Sequence, residues 1–210
     1  MAIRLPDDAG QNLLLPLKTA THYLDFREQI AGERGMTVQS QIDLADADRE
    51  ALRPCDPAIY RSVMGAFPTG VTVMTAADGA ACCGVTASSF NTVSLDPPLI
   101  LWSIGLRAPS LGTFRAAGHF AVNVLSDAQR DVALQFARPA ADKFAGLDTF
   151  TGVTGAPLIR GALAHIECRV WARHPGGDHE IMLGEVVALC RSEGRPLVFS
   201  GGAFHGVSPI

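Results

Sequence analysis

Most of the motifs that announce a familiar chemistry are missing from this chain of 210 residues. No apolar run reaches the roughly 18 residues that a membrane span requires. The apolar stretch 13–17 contains Pro16, is followed by Lys18 and is preceded by Asp7 and Asp8, so it does not read as the core of a secretory signal. No membrane partner and a cytoplasmic location are therefore expected. The cysteines Cys55, Cys82, Cys83, Cys168 and Cys190 include no Cys-x-x-Cys pair. Their odd number, and the poor disulfide geometry of adjacent Cys82 and Cys83, point to reduced thiols. The histidines form neither His-x-x-x-His nor His-Glu-x-x-His, so no metal site is expected. Concentrated positive charge is also lacking. The chain has 17 Lys and Arg against 21 Asp and Glu, a net charge of -4, which argues against a nucleic-acid partner. Gly-x-Gly-x-x-Gly, Walker A and Gly-x-Ser-x-Gly sequences are absent. A Rossmann site, a P-loop and a nucleophile elbow are thereby disfavoured.

What is present reads as one globular domain with an appendage. Hydrophobic residues make up 48% of the chain and charged residues 18%. Residues 1–55 form an N-terminal extension without sustained periodicity, expected to be poorly ordered or partly helical. Its segment 37–53 is polar and acid-rich, with Asp43, Asp46, Asp48 and Glu50. Met36 offers a second translation start, which would leave 1–35 outside the native chain.

Residues 56–210 carry sharper signals. Asp56 before Pro57 predicts a helix start that Pro68 later stops. Strands are predicted over 71–76, 83–88, 98–104 and 120–125, with Asp78-Gly79 as a hairpin turn. Short helices are predicted over 110–117, stopped by Gly118, and over 127–137, capped by Ser126 or Asp127. Segment 139–158 reads as loop. Two long strands over 162–174 and 180–190 follow, joined by Pro175-Gly176-Gly177-Asp178. Alternation puts His165, Glu167, Arg169 and Trp171 on one face and Ile166, Cys168, Val170 and Ala172 on the other. Segment 196–201 is the last predicted strand. Many hairpin-linked strands and few helices predict a closed or nearly closed antiparallel barrel rather than a doubly wound sheet.

Three segments hold polar groups of the kind a site requires. Gly84-Val85-Thr86-Ala87-Ser88-Ser89-Phe90-Asn91 places hydroxyls and an amide at a strand end, suited to a phosphate or to the polar edge of a heterocycle. A plain Ser/Thr-rich strand and turn is the other reading. The segment from Trp102 to Ser110 runs through Arg107 into a helix start, a place that attracts anions. An N-cap serine beside a solvated arginine explains it equally. Gly177-Asp178-His179-Glu180 sets His179 just past a turn, as a general acid, a metal ligand or, like most lone histidines, neither. A regular strand puts Asp178 and Glu180 opposite His179, so no acid/base pair is assigned.

The order and spacing of these pieces resemble the short-chain flavin reductases of the FMN-binding split-barrel superfamily, over residues 60–207. The matching segments begin with Phe67-Pro68-Thr69-Gly70-Val71-Thr72-Val73-Met74-Thr75, Gly84-Val85-Thr86-Ala87-Ser88-Ser89-Phe90 and Val93-Ser94-Leu95-Asp96-Pro97-Pro98-Leu99-Ile100. Phe120-Ala121-Val122-Asn123-Val124-Leu125-Ser126, Asp142-Lys143-Phe144-Ala145-Gly146, Gly177-Asp178-His179 and Pro196-Leu197-Val198-Phe199 complete them.

The resemblance implies a mainly β, antiparallel split β-barrel with short helices. It implies an NAD(P)H-dependent flavin reductase that passes hydride from NADH or NADPH to FMN or FAD. It also implies a homodimer and a separate, diffusively coupled flavin-dependent monooxygenase that receives the reduced flavin. Cofactor contacts carry over to Thr86, Ala87, Ser88, Ser89, Trp102, Ser103, Ile104, Arg107, Ser110, Ala121, Val122, Asn123, Lys143 and Phe144. The nicotinamide side carries over to Gly177, Asp178, His179 and Phe204, with His179 as the catalytic position, positioning rather than donating protons. Phe204 stands where many relatives have Tyr. Arg173 and Arg191 are the candidates for reading the extra phosphate of NADPH. A non-enzymatic split barrel that stores flavin or transfers electrons is the alternative. Pyridoxamine phosphate oxidase-like chemistry shares the barrel but calls for a more basic phosphate site.

Overall fold

The structure, a computed structural model, describes residues 55–208 and two short N-terminal strands, β1 (Ile3–Pro6) and β2 (Asn12–Leu15), which pair antiparallel. The chain divides into two compact units, 1–59 and 60–210. Apart from the β1–β2 hairpin, the expectations for 1–55, including partial helix over 37–53, lie outside the described residues.

The helix predicted after Asp56 is α1 (Pro57–Gly65). Asp56 Oδ1 accepts the N–H groups of Ala58 at 2.8 Å and Ile59 at 3.0 Å, satisfying donors that a first turn leaves free. In chain order there follow β3 (Thr69–Gly70), β4 (Thr72–Asp78), β5 (Ala81–Ala87), β6 (Asn91–Leu95) and β7 (Pro98–Gly105). Next come α2 (Leu111–Ala117), β8 (His119–Val124), α3 (Arg130–Ala137), β9 (Thr149–Thr151) and β10 (Pro157–Ile159). The long hairpin β11 (Ala164–Gly176) and β12 (His179–Arg191) precedes β13 (Leu197–Ser200) and β14 (Ala203–Gly206).

Seven strands form one antiparallel sheet in the order β5-β4-β8-β11-β12-β7-β6. It curls until its two ends approach, and there the ladder is interrupted. The Ser89 hydroxyl accepts the Ser103 N–H at 2.9 Å and donates to the Ser103 carbonyl at 3.3 Å. The sheet is therefore open between β5 and β6, and Ser89, in the turn that joins them, ties that turn to β7. A second sheet, β14-β13-β3, closes one end, pairing Gly70 with Val198 and Thr69 with Phe199.

Inside the curl, Trp102 is fully buried, edge-on to Phe114 (5.0 Å between centroids) and Phe120 (5.8 Å). Each such ring contributes roughly 1.5–3 kcal/mol by leaving water. Gly184 lies against them for a steric reason. A Cβ there would sit 2.4 Å from Phe120 Cζ and 2.8 Å from Cys168 Cβ. A second cluster gathers Val71, Leu125, Phe136 and Leu197 beneath α3.

Several expectations are corrected. β6 and β14 were not predicted, and β9 and β10 pair within the segment read as loop. The helix predicted over 127–137 begins as a 3-10 turn (Asp127–Gln129), with Gln129 Oε1 accepting the Ser126 N–H at 3.1 Å. The alternation read along β11 holds from His165 to Val170: Ile166, Cys168 and Val170 pack into the core, whereas His165 and Glu167 line a hollow on the opposite face. Against β12, bulges fall between Glu167 and Cys168 and between Val170 and Ala172, and Glu167 and Cys168 are both buried because both faces of the strand are covered there.

Candidate functional site

Two adjoining hollows run along the wall made by β5, the end of β7 and the tip of the β11–β12 hairpin. The first, about 620 Å³, is lined by Thr86, Ala87, Ser88 and Ser89, by Ser103, Ile104 and Gly105, and by Asp178 and His179. The second, about 490 Å³, shares Val85 and Ala108 with the first and adds Ser110, Thr113, Lys143 and Phe144.

Register brings the hairpin tip to the groove. β12 pairs with β7 so that His179 lies opposite Gly105, and the turn is only Gly177-Asp178, opened by Gly177 at φ 72°. A glycine meets that left-handed conformation without strain. The Leu106 N–H donates to the Asp178 carbonyl at 2.9 Å, fixing the tip against the loop after β7. His179 Nδ1 lies 2.6 Å from Asp178 Oδ1. An ionised carboxylate only accepts, so Nδ1 donates, and in the neutral ring Nε2 keeps its lone pair on the Gly105 side. The hydrogen bond from His179 holds the Asp178 carboxyl below its ordinary range, and Arg107 adds a smaller pull.

The Asp178 side chain thus turns to His179 instead of away from it, correcting the regular-strand expectation. Glu180 does point elsewhere. Arg115 Nη2 reaches Glu180 Oε2 at 2.6 Å, and this bond holds Glu180 below the usual carboxylate range and pushes Arg115 up. Gly177 and Arg173 line a smaller hollow of about 330 Å³ behind that pair.

The hydroxyls of the first hollow are unequally free. Ser89 is occupied by Ser103, and Thr86 Oγ1 donates to the Ala133 carbonyl at 2.6 Å. Ser88 is exposed to the groove. In the second hollow, Lys143 Nζ donates to the Phe136 carbonyl at 2.8 Å and to the Gly84 carbonyl at 3.3 Å. An ammonium has three donors, so one remains for an anion. Partial burial holds Lys143 below the ordinary lysine value. Ser110 makes no side-chain cap bond to α2, which leaves its hydroxyl available. Phe144 stands edge-on to Phe136 at 5.1 Å and walls this hollow. Burial pushes the neighbouring Cys83 thiol up to about 11, so it stays protonated.

Not every expected contact lies here. The Trp102 side chain is in the core, because β7 alternates and turns Ser103 and Gly105 to the groove. Ala121, Val122 and Asn123 belong to β8, the strand between β4 and β11, and are fully buried away from both hollows. Asn123 is a structural hub. Its amide donates to Val73 O at 3.0 Å and Thr75 Oγ1 at 3.2 Å and accepts the Ile159 N–H at 2.8 Å. Arg107 is exposed and lines neither hollow. Phe204 packs on Phe199 at 5.3 Å in the second sheet, apart from His179. Sequence reasoning missed Tyr60, Gly105, Ala108 and Thr113 as lining residues. The alternation of β7 was a readable signal for Gly105. The others come from loop and helix placement.

A split barrel with a hydroxyl-lined groove and an adjoining ammonium-bearing hollow defines a class of small-molecule binding protein. The chain belongs to the flavin reductase like domain family, which its residues 64–208 match. It is 40% identical over 157 residues to a flavin-dependent monooxygenase reductase subunit, HsaB, of Mycobacterium tuberculosis, covering 73% of this chain and 84% of that protein. It is 46% identical over 145 residues to the FMN reductase (NADH) SmoA of Agrobacterium fabrum, covering 69% and 83%. Among solved structures, the NADH:FAD oxidoreductase SgcE6 of Streptomyces globisporus C-1027, in complex with NAD and FAD fragments, superposes with a TM-score of 0.71. That match has 42% identity and covers 75% of this chain and 98% of the other.

Proposed function

We propose that the protein is an NAD(P)H:flavin oxidoreductase that reduces FMN or FAD and releases the product to a separate monooxygenase. One observation carries this reading. The 86–89 wall and the Asp178-His179 hairpin tip face one another across a single groove, with the Lys143 hollow continuing it.

The residues present fit a flavin. Val85, Ala87 and Ala108 offer apolar surface to a planar ring, Ser88 and backbone groups offer donors to its polar edge, and Lys143 with Ser110 suits its phosphate. When bound, the flavin supplies the hydride-accepting ring, and the protein supplies orientation and exclusion of water. His179, held by Asp178, gives the nicotinamide a fixed wall on the open side of the groove. Neither a nucleophile nor an acid/base pair is needed. The relatives named above are reductases and a monooxygenase reductase subunit, which supports both the reaction and the onward partner.

A homodimer is part of the same proposal, supported by the exposed apolar residues Tyr60, Val63, Met64 and Phe67. Light scattering that reports a monomer at micromolar concentration refutes it. A cytoplasmic location is proposed because the reaction draws on nicotinamide pools there. No helix among the described residues is long and apolar enough to cross a membrane.

The test is oxidation of NADH and of NADPH, followed by loss of absorbance, with FMN, FAD or neither. Saturable turnover that requires flavin and falls in His179→Ala supports the reading and names both substrates. Tight flavin binding without turnover replaces it with flavin storage or electron transfer.

A further inference from the structure

At the end of the β11–β12 hairpin away from His179, a second cluster of reactive groups lies outside both hollows. His165 and Cys190 are directly paired in the ladder, roughly 35 Å of strand from the His179 turn. His165 is 7% exposed and Cys190 is exposed. His165 Nε2 lies 2.8 Å from the Ile159 carbonyl, which can only accept. The Nε2 atom therefore carries the ring proton, and Nδ1 presents its lone pair to Cys190 Sγ at 3.5 Å. Phe150 stands edge-on to the imidazole at 5.3 Å and holds its plane. These groups border a hollow of about 430 Å³ whose walls include Gly152, Leu158 and Leu189.

We propose that Cys190 is a modification site: a nucleophilic thiol, with His165 as its base, that reacts with hydrogen peroxide and with soft alkylating electrophiles. The arrangement is that of an activated nucleophile, with the base oriented by a third group. Sulfur attacks one peroxide oxygen, the S–O bond forms and the O–O bond breaks. The thiol proton passes to His165 Nδ1 and from there to the departing hydroxide, which leaves as water. Sulfur loses two electrons and the peroxide gains them, giving a sulfenic acid. The charged groups around the pair are compatible with this. Glu167, on β11, lines the same hollow and is engaged by the Val153 and Thr154 N–H groups and the Thr154 hydroxyl. Arg160, 4.9 Å from the Phe150 ring centroid, is paired with Asp148. Asn123, opposite His165 on β8, is neutral. The buried thiols differ: burial pushes Cys83 up to about 11 and Cys168 up to about 12.

The test uses the full chain and limiting iodoacetamide at neutral pH, with peptide mapping of the rate at each cysteine. Exposed Cys55 and Cys82 are references within the same molecule. Cys190 is expected to label about a hundredfold faster than either, the low end of what a positioned base supplies. Peroxide followed by dimedone is expected to tag Cys190 first. His165→Gln is expected to return Cys190 to the reference rate without altering Cys82. Should that variant not fold, a normal solvent deuterium effect confined to Cys190 in the unaltered protein reports the same proton transfer. Cys190 labelling no faster than the references, or a rate indifferent both to His165→Gln and to deuterium, overturns the proposal. None of these readouts involves flavin, and Cys190→Ser is expected to keep flavin-dependent turnover.

Discussion

His179 and Asp178 are neighbours in the chain whose side chains close on each other, Nδ1 to Oδ1 at 2.6 Å, at a turn tied to Leu106. The carboxylate fixes the ring's orientation, so its effect on turnover passes through His179. Asp178→Asn is expected to raise the KM for the nicotinamide several-fold with a smaller change in kcat. His179→Ala is expected to lower kcat/KM about tenfold or more, as loss of substrate positioning does. The Asp178 carboxyl is held below its ordinary value of 3.8. Its clasp is therefore intact above that value and is lost as pH falls through the depressed one. Profiles of kcat/KM against pH should show an acid limb in the unaltered protein that Asp178→Asn removes.

Lys143 spends two of its three donors on the Phe136 and Gly84 carbonyls. Removing the ammonium in Lys143→Ala is expected to weaken FMN binding about tenfold to a hundredfold, the range of one charged hydrogen bond. Riboflavin, which lacks the phosphate, should bind the variant as it binds the unaltered protein. Fluorescence titration with both ligands checks this. Because burial holds Lys143 below its ordinary 10.5, FMN affinity should also fall as pH rises, beginning below the usual lysine range.

Gly84 sits where a Cβ would come within 2.4 Å of Phe136 Cε1 and 3.3 Å of the Met74 carbonyl. Gly84→Ala must displace the Phe136 ring, and Phe144 packs on that ring. Destabilisation of about 1–3 kcal/mol is expected, typical of an overfilled core. A lower urea midpoint together with a raised KM for FMN checks the link from packing to the phosphate hollow.

Asn123 separates a core role from a cofactor role. Asn123→Leu leaves the Val73 carbonyl, the Thr75 hydroxyl and the Ile159 N–H without the partner they had. A loss of about 3 kcal/mol is expected. The KM for flavin should stay within twofold in protein that remains folded, because the side chain reaches neither hollow. A large rise in KM with unchanged stability reverses this assignment.

Local chemistry made much of this legible. Asp56-Pro57 marked α1, Gly118 ended α2, and the Ser/Thr run at 86–89 together with Gly177-Asp178-His179 marked both sides of the groove. What could not be read depends on long-range geometry. A period-two reading of β11 separates Glu167 from Cys168, but it does not show that both faces are covered, by the segment around Val153 and Thr154 on one side and by the core on the other. Trp102 and Asn123 sit inside motif segments whose neighbours reach the groove. Which way each one points is decided by the pleat and by strand position in the sheet. Strands as short as β9 and β10 carry too few residues to show a period, and pairing with each other defines them.

The clasp at the end of the barrel joins residues far apart in the chain. Val71 donates to the Leu197 carbonyl, Leu125 to that of Val71, and Leu197 to that of Leu125. Closure therefore waits until β13 is made, well after Val71 and Leu125. A nascent chain holds Val71 and Leu125 without their third partner until the C-terminal hairpin has left the ribosome. A frameshift or nonsense codon ahead of Leu197 would release a barrel with an open floor, a substrate for proteases rather than a weakened reductase.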